Sequence, residues 1–195
     1  MMFVYRKLNI EEINVISHEL REFVLPYDES KNNVTGLWAL DLEKFKNTCP
    51  HAVNYFNSIG QLDNIYKVCI IVVNPPSDGK KPHVDNLHYT PLNNGPTKGC
   101  LSLNFNIENC IDTSVMHYKY ISGDTKVFPL HDPTQGSFIV FQGCEMEEIA
   151  RYNLEEPVIM NNSTPHCIVN LTDAPRISLS FRFKDDPWDF AKHGV

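Results

Sequence analysis

Two stretches in the second half of the chain alternate strictly between apolar and polar residues. They read Leu-Ser-Leu-Asn-Phe-Asn-Ile over 101–107 and Arg-Ile-Ser-Leu-Ser-Phe-Arg-Phe over 176–183. Successive side chains of a β-strand point to opposite faces, so each stretch predicts a strand with one apolar and one polar face. The apolar face must be covered by a second layer. The chain is therefore expected to build antiparallel β-layers whose polar face meets either water or an interior pocket.

Helical patterns dominate residues 1–62. Asn9 is a suitable N-cap, and Glu12 follows three residues later, as in a capping box. Apolar residues then recur at helical spacing until a proline ends the pattern, namely Ile10, Ile13, Ile16, Leu20 and Phe23. Two shorter helices are predicted over 40–48 and 50–58, the second opening on a proline and followed by a glycine. These helices are expected to buttress the β-layers.

More strands are expected between residues 65 and 183. Residues 67–73 are apolar on both faces, as in a strand covered on both sides, and Phe138–Phe141 is another short strand. Weaker candidates are Met116–Tyr120 and Val158–Met160, whereas the acidic run Glu145–Glu148 suggests a solvated loop or a helix start. Helices followed by many short strands predict an α+β, mainly β fold. One domain of 195 residues is expected, with a C-terminal tail over 184–195.

Charge and cysteine content narrow the function classes. A net charge of −7 and a pI of about 5.6 argue against a general nucleic-acid binder, which needs a basic surface. The longest apolar run, Val68–Val73, is too short to cross a membrane, and the N-terminus lacks the apolar core of a signal peptide. The six cysteines form no CxxC pair, so reduced, buried thiols and a cytoplasmic location are expected.

Two histidines and an aspartate are candidate metal ligands. His83 and Asp85 are two residues apart, so on a strand both point to the same face and can bind one metal ion. A HxD triplet also arises by chance, and a strand-end pair in contact with water is the alternative. His166 taken alone is more simply a hydrogen-bonded structural histidine, and His117, in an aromatic strand, is expected to be structural as well.

Arginine and serine side chains follow His166 in the segment 166–183. Asp173 and Pro175 predict a hairpin, with His166 on one strand and Arg176 on the other. The polar face of the second strand carries Arg176, Ser178, Ser180 and Arg182. If that face lines an interior, Arg176 requires an anionic partner there, because a buried arginine without one is costly. If it faces water, the strand is an ordinary half-buried one.

The combination of these motifs is more specific than each alone. His83-x-Asp85, a distant His166, and Arg176-x-Ser178 ten residues after that histidine resemble the signature of the iron(II)/2-oxoglutarate-dependent dioxygenases. The resemblance extends over the strand-rich part of the chain and is strongest in its last two strands. It implies a double-stranded β-helix, a jelly-roll or cupin-like barrel, over 65–183, with the N-terminal helices as its buttress.

The resemblance also implies roles for these residues. His83, Asp85 and His166 would form the catalytic centre and bind Fe(II). The cosubstrate 2-oxoglutarate would bind the metal through its keto acid end and would reach Arg176 and Ser178 with its far carboxylate. The expected activity is that of a 2-oxoglutarate-dependent oxygenase, an oxidoreductase that hydroxylates its substrate with release of succinate and CO2.

Two further residues are candidates for the pocket. Asn104 shares the polar face of its strand with Ser102 and Asn106, so it either holds a ligand or faces solvent. Arg182 is the next candidate partner for the carboxylate if Arg176 points elsewhere.

Two competing functions remain open at this point. One is a cupin-like metalloprotein without 2-oxoglutarate turnover, and the other is a non-catalytic β-sandwich binding protein. For the enzyme, a small molecule or a protein side chain is favoured as the substrate, nucleic acid is disfavoured, and no membrane is expected. Trp188 and Phe190 in the tail either fold back onto the barrel or serve a partner, and neither the substrate nor the oligomeric state follows from the sequence.

Overall fold

The structure, a computed structural model, describes residues 3–26, 35–79, 81–85, 100–129 and 137–193. Within these ranges the α-helices are α1 (Ile13–Val24), α2 (Leu42–Thr48), α3 (Pro50–Ser58) and α4 (Trp188–His193). The strands are β1 (Tyr5–Lys7), β2 (Gly36–Leu40), β3 (Ile65–Val73), β4 (Ser77–Asp78), β5 (His83–Val84), β6 (Leu101–Glu108), β7 (Ser114–Ser122), β8 (Lys126–Pro129), β9 (Ser137–Val140), β10 (Glu145–Tyr152), β11 (Val158–Asn161), β12 (His166–Asn170) and β13 (Arg176–Phe183).

The described strands form two antiparallel sheets. The larger sheet has the order β1-β11-β6-β13-β3-β2. The second sheet has the order β10-β7-β12-β5-β9-β8, and β4 also pairs with β12. The chain is therefore mainly β with few helices, in agreement with the fold class predicted from the strand and helix patterns.

The helices cover the apolar face of the larger sheet. Phe181 of β13 lies 5.0 Å from Phe45 of α2 and 4.6 Å from Phe56 of α3, measured between ring centroids. Phe105 of β6 is 5.7 Å from Phe181 on the same face. Because side chains alternate along a strand, covering this face turns the polar residues of β6 and β13 toward the interior between the sheets.

The first helix begins later than its sequence predicts. α1 starts at Ile13 with Glu12 as its N-cap residue, so the capping box predicted at Asn9 is wrong. A turn precedes the helix, in which the Ile13 N–H donates to the Ile10 carbonyl. The Glu12 carboxylate lies 3.4 Å from His51 Nδ1 of α3, so it serves a contact between helices instead of a capping box.

The second helix is preceded by a strand that the sequence pattern does not reveal. The prediction of helix from Leu40 is wrong, because that residue ends β2, which pairs with β3. Asp41 then caps α2 by accepting the N–H groups of Glu43 and Lys44 at 2.9 and 3.0 Å. α3 spans Pro50–Ser58, as predicted.

The link between β12 and β13 is not the predicted hairpin. β12 pairs with β4, β5 and β7, whereas β13 pairs with β3 and β6 in the other sheet. The buried Asn170 holds this corner by donating to the carbonyls of Val73 and Ala174 at 2.8 and 3.0 Å. His166 and Arg176 consequently belong to opposite sheets.

The prediction of a loop or a helix start at the acidic run Glu145–Glu148 is wrong, because these residues begin the edge strand β10. An edge strand tolerates these charges because its side chains reach solvent, and Glu148 pairs there with Arg151. The predicted strands Met116–Tyr120 and Val158–Met160 are confirmed within β7 and β11.

The tail folds back onto the molecule. Trp188 of α4 packs edge-to-face against Phe3, with ring centroids 6.0 Å apart. The Asp186 carboxylate accepts the N–H groups of Cys100 and Leu101 at 3.0 and 2.7 Å.

All six cysteines are free thiols, as expected. Among the described helices, none has the length and apolar character needed to cross a bilayer.

Candidate metal and carboxylate site

Three side chains with metal-ligating atoms meet at one end of the interior. His83 of β5 and His166 of β12 are cross-strand partners, and Asp85 follows β5 directly. His83 Nε2 lies 3.4 Å from Asp85 Oδ1, and His166 Nε2 lies 3.9 Å from Asp85 Oδ2. One ligand atom from each residue falls within 4.8 Å of the others. The pairing of β5 with β12 thus brings together residues that are 83 positions apart.

Backbone carbonyls orient both imidazole rings. His166 Nδ1 is 2.9 Å from the Thr164 carbonyl, and His83 Nδ1 is 3.4 Å from the Lys81 carbonyl. A carbonyl oxygen only accepts, so each Nδ1 is the donor in these contacts, and Nε2 is the ring atom that faces Asp85. This arrangement of the outer ring nitrogen is typical of metal-binding histidines.

Asp85 is held as a carboxylate by its neighbours. Burial by itself raises the pKa of this group, but the Arg182 guanidinium, 2.9 Å from Oδ2, and the two histidines lower it well below its usual range. The pKa of His166 is lowered to about 4, mainly by burial and further by the His83 ring, so it is neutral near pH 7. The charged carboxylate of Asp85 and the neutral imidazole of His166 are in the protonation states that metal binding requires.

The donor set fits one first-row divalent metal ion. Two ligand atoms at about 2.1 Å from an ion and at right angles lie about 3 Å apart, close to the observed 3.4 and 3.9 Å. Small side-chain movements would place all three atoms on one ion. Two histidines and one carboxylate with open positions are typical of non-haem iron(II).

Arg176 lies inside the protein, which settles the direction that its sequence left open. It is 2% exposed, and its Nη1 donates to Ser178 Oγ at 3.0 Å. Its Nε is buried without a hydrogen-bond partner, and no carboxylate of the described residues forms an ion pair with it. A buried guanidinium in this state is suited to an anionic ligand.

One cavity joins the metal-ligating cluster to Arg176. Its polar lining consists of Asp85, His166, Arg182, Asn104, Asn162, Tyr152, Ser178 and Arg176. The apolar lining consists of Ile71, Val115, Leu154, Met160 and Ile168. Asn104 therefore faces the cavity and not solvent, and its Nδ2 donates to Ser102 Oγ at 3.0 Å.

An aromatic stack borders the cluster on the side of β7. His117 is fully buried, its Nε2 lies 3.4 Å from the Tyr152 hydroxyl, and its ring is 5.6 Å from that of His166. Burial lowers the pKa of His117 to about 3. Among the described residues, the group able to hold an ion contains His83, Asp85 and His166 without His117.

The positions of two residues in this site are not predicted by the sequence. The sequence suggests Arg182 only as a substitute for Arg176, whereas in the structure it pairs with Asp85, 97 positions away. Asn162 carried no signal except its place shortly before His166, and only the fold brings its side chain to the cavity.

No family model matches the sequence, and a search of curated proteins finds no match. Solved structures do resemble the chain. A Pseudomonas putida prolyl-4-hydroxylase is 11% identical over 95% of this chain and 94% of its own, with a TM-score of 0.50. The non-heme alpha-ketoglutarate-dependent epimerase SnoN from nogalamycin biosynthesis is 14% identical over 94% of this chain and 79% of its own, with a TM-score of 0.51. At these identities the likeness concerns the fold alone.

Proposed function

We propose that the protein is an iron(II)- and 2-oxoglutarate-dependent dioxygenase built on a double-stranded β-helix. One observation carries the proposal: a single cavity is lined both by Asp85 and His166 of the metal-ligating cluster and by the buried Arg176, which lacks an acidic partner among the described residues. The two facing sheets, and solved structures of a hydroxylase and a keto-acid-dependent epimerase with a similar fold, support it.

His83, Asp85 and His166 hold the iron in this proposal. Arg182 keeps Asp85 charged and fixes its carboxylate plane, while the Thr164 carbonyl fixes the His166 ring. Iron(II), together with 2-oxoglutarate and dioxygen, supplies the oxidation of a substrate C–H bond, with release of succinate and CO2.

Arg176 and Ser178 receive the far carboxylate of 2-oxoglutarate. A carboxylate satisfies the unpartnered guanidinium N–H and adds charge-assisted hydrogen bonds of about 1.5–3 kcal/mol each. The Ser178 hydroxyl, which accepts from Arg176 Nη1, is free to turn its own proton to the same carboxylate. Apolar walls at Val115, Leu154 and Ile168 suit the methylene groups between the two ends.

The substrate approaches from the side of His83, whose side chain is 32% exposed whereas that of His166 is 5% exposed. We favour a small molecule or a protein side chain as the substrate, because the net charge of −7 disfavours nucleic acid.

The test is succinate formation from 2-oxoglutarate by the purified chain with iron(II) under air. We expect succinate from the wild type and from Arg151→Gln, a control that removes an exposed arginine of β10, and much less from Arg176→Gln and His166→Ala. Metal binding without succinate would favour the cupin-like metalloprotein, and a chain that binds no metal would favour the non-catalytic sandwich. A substrate library scored by succinate release then identifies the substrate.

A further inference from the structure

A second polar side chain in the cavity lacks a partner. Asn162 follows β11 and is 1% exposed. Its Oδ1 accepts from the Ser102 hydroxyl at 3.2 Å, but its Nδ2 is buried with no hydrogen-bond partner among the described residues. A buried amide N–H₂ without an acceptor is destabilising, so this group is suited to an acceptor that arrives with a ligand.

The orientation of this amide follows from a chain of hydrogen bonds. Asn104 Nδ2 lies 3.4 Å from the carbonyls of Ser102 and Val158, which can only accept, so the nitrogen of this amide is identified. The same Nδ2 donates to Ser102 Oγ at 3.0 Å. The Ser102 hydroxyl accepts this bond and donates its single proton to Asn162 Oδ1, which leaves the Asn162 N–H₂ as the group without a partner among the described residues.

Asn162 stands at the metal-ligating end of the cavity. Its backbone carbonyl accepts the N–H of Asp85 at 3.2 Å. Its partner Ser102 is aligned with Arg182 in the pairing of β6 with β13. Arg176 begins the same strand, six residues before Arg182. Asn162 and Arg176 thus offer unpartnered donors at opposite ends.

We propose that the Asn162 amide donates to a carboxylate oxygen at the keto-acid end of 2-oxoglutarate, while Arg176 binds the far carboxylate; this inference rests on the proposed function. Ser102 is a positioning residue, because it holds the amide in the donating orientation. Two separate donor sites explain how one cavity selects a diacid in a single direction.

The experiment measures binding and not turnover. The full chain is loaded with Mn²⁺ in place of iron and titrated by calorimetry with 2-oxoglutarate and with oxalate, which offers only the metal-binding end. Asn162→Ala is expected to weaken both ligands by ten- to a hundredfold, the range of a hydrogen bond to a charged group. Arg176→Ala is expected to weaken 2-oxoglutarate and to leave oxalate within twofold. Ser102→Ala should give a smaller loss for both ligands.

Asn162→Asp keeps the shape of the side chain and the acceptor for Ser102, and so provides a folded variant if alanine disrupts the turn. It replaces the donor by a carboxylate and should weaken both ligands further. The inference is overturned if Asn162→Ala and Asn162→Asp bind both ligands within twofold of the wild type, or if they lose Mn²⁺ itself, which would indicate a structural role through Asp85. A wild type that binds Mn²⁺ but not 2-oxoglutarate would instead remove the proposed function, and this inference with it.

Discussion

Replacing Arg182 by methionine tests the pairing that holds Asp85. The change keeps a long side chain but removes the guanidinium that lies 2.9 Å from Asp85 Oδ2. Breaking a buried pair costs about 3–5 kcal/mol, because the remaining charge stays buried. The Asp85 side chain is 25% exposed, which reduces the expected loss to about 2–4 kcal/mol.

The assay is thermal unfolding of the metal-free protein at pH 7. For a chain of this size, each kcal/mol shifts the Tm by about 2–4 °C, so Arg182→Met should lower it by roughly 4–16 °C. The matched control is Arg151→Met, which removes an exposed arginine 2.9 Å from Glu148. Exposed pairs contribute about 1 kcal/mol or less, so the control should shift the Tm by no more than a few degrees.

The difference should also depend on pH with a definite sign. In the wild type the Asp85 pKa lies below its unfolded value, so the pair stabilises the fold above about pH 4 and loses this contribution as the pH falls. In Arg182→Met the effect of burial prevails and raises the Asp85 pKa. As the pH falls, Asp85 of the variant is therefore protonated before that of the wild type, which removes the cost of its buried charge. The Tm gap between the two should narrow from pH 7 toward pH 4. Equal Tm values for Arg182→Met and Arg151→Met at pH 7, or a gap that widens on acidification, would refute the reasoning.

The remaining predictions concern the ligands and the buried histidines. Arg176→Met should leave the ligand-free stability unchanged or raise it by about 1–3 kcal/mol, because it removes a buried cation without an acidic partner, and 2-oxoglutarate should no longer raise the Tm; a markedly lower ligand-free Tm would contradict this. His83→Ala and His166→Ala should each abolish metal binding in calorimetry, and full affinity in either variant would remove that residue from the site. Burial lowers the pKa of His117 to about 3 and that of His166 to about 4. As the pH falls from about 6.5 toward 4, each of these histidines should therefore reduce the unfolding free energy of the metal-free protein by about 1.4 kcal/mol for every pH unit. Urea unfolding across this range checks the slope, His117→Phe should reduce it, and a flat profile would contradict the burial argument.

Local patterns predicted several elements because their physical cause is local. The alternation over 101–107 and 176–183 determines which side chains share a face, whatever the partner strands are. The helix Pro50–Ser58 begins at a proline, whose missing N–H costs nothing at a helix start. The capping prediction at Asn9 failed because the chain forms a turn from Ile10 to Ile13 before the helix begins.

The residue types of the candidate site can be identified from the sequence alone: two imidazoles, a carboxylate, and an arginine two residues before a serine. How these side chains meet depends on the tertiary fold. Turn residues over 170–175 specify a change of direction but not whether the next strand joins the same sheet, and here the chain crosses to the other one. That crossing places His166 and Arg176 on facing walls, and strand pairing over long separations brings Arg182 to Asp85 and Asn162 to the cavity. Such contacts depend on packing between layers, which no periodicity within a segment encodes.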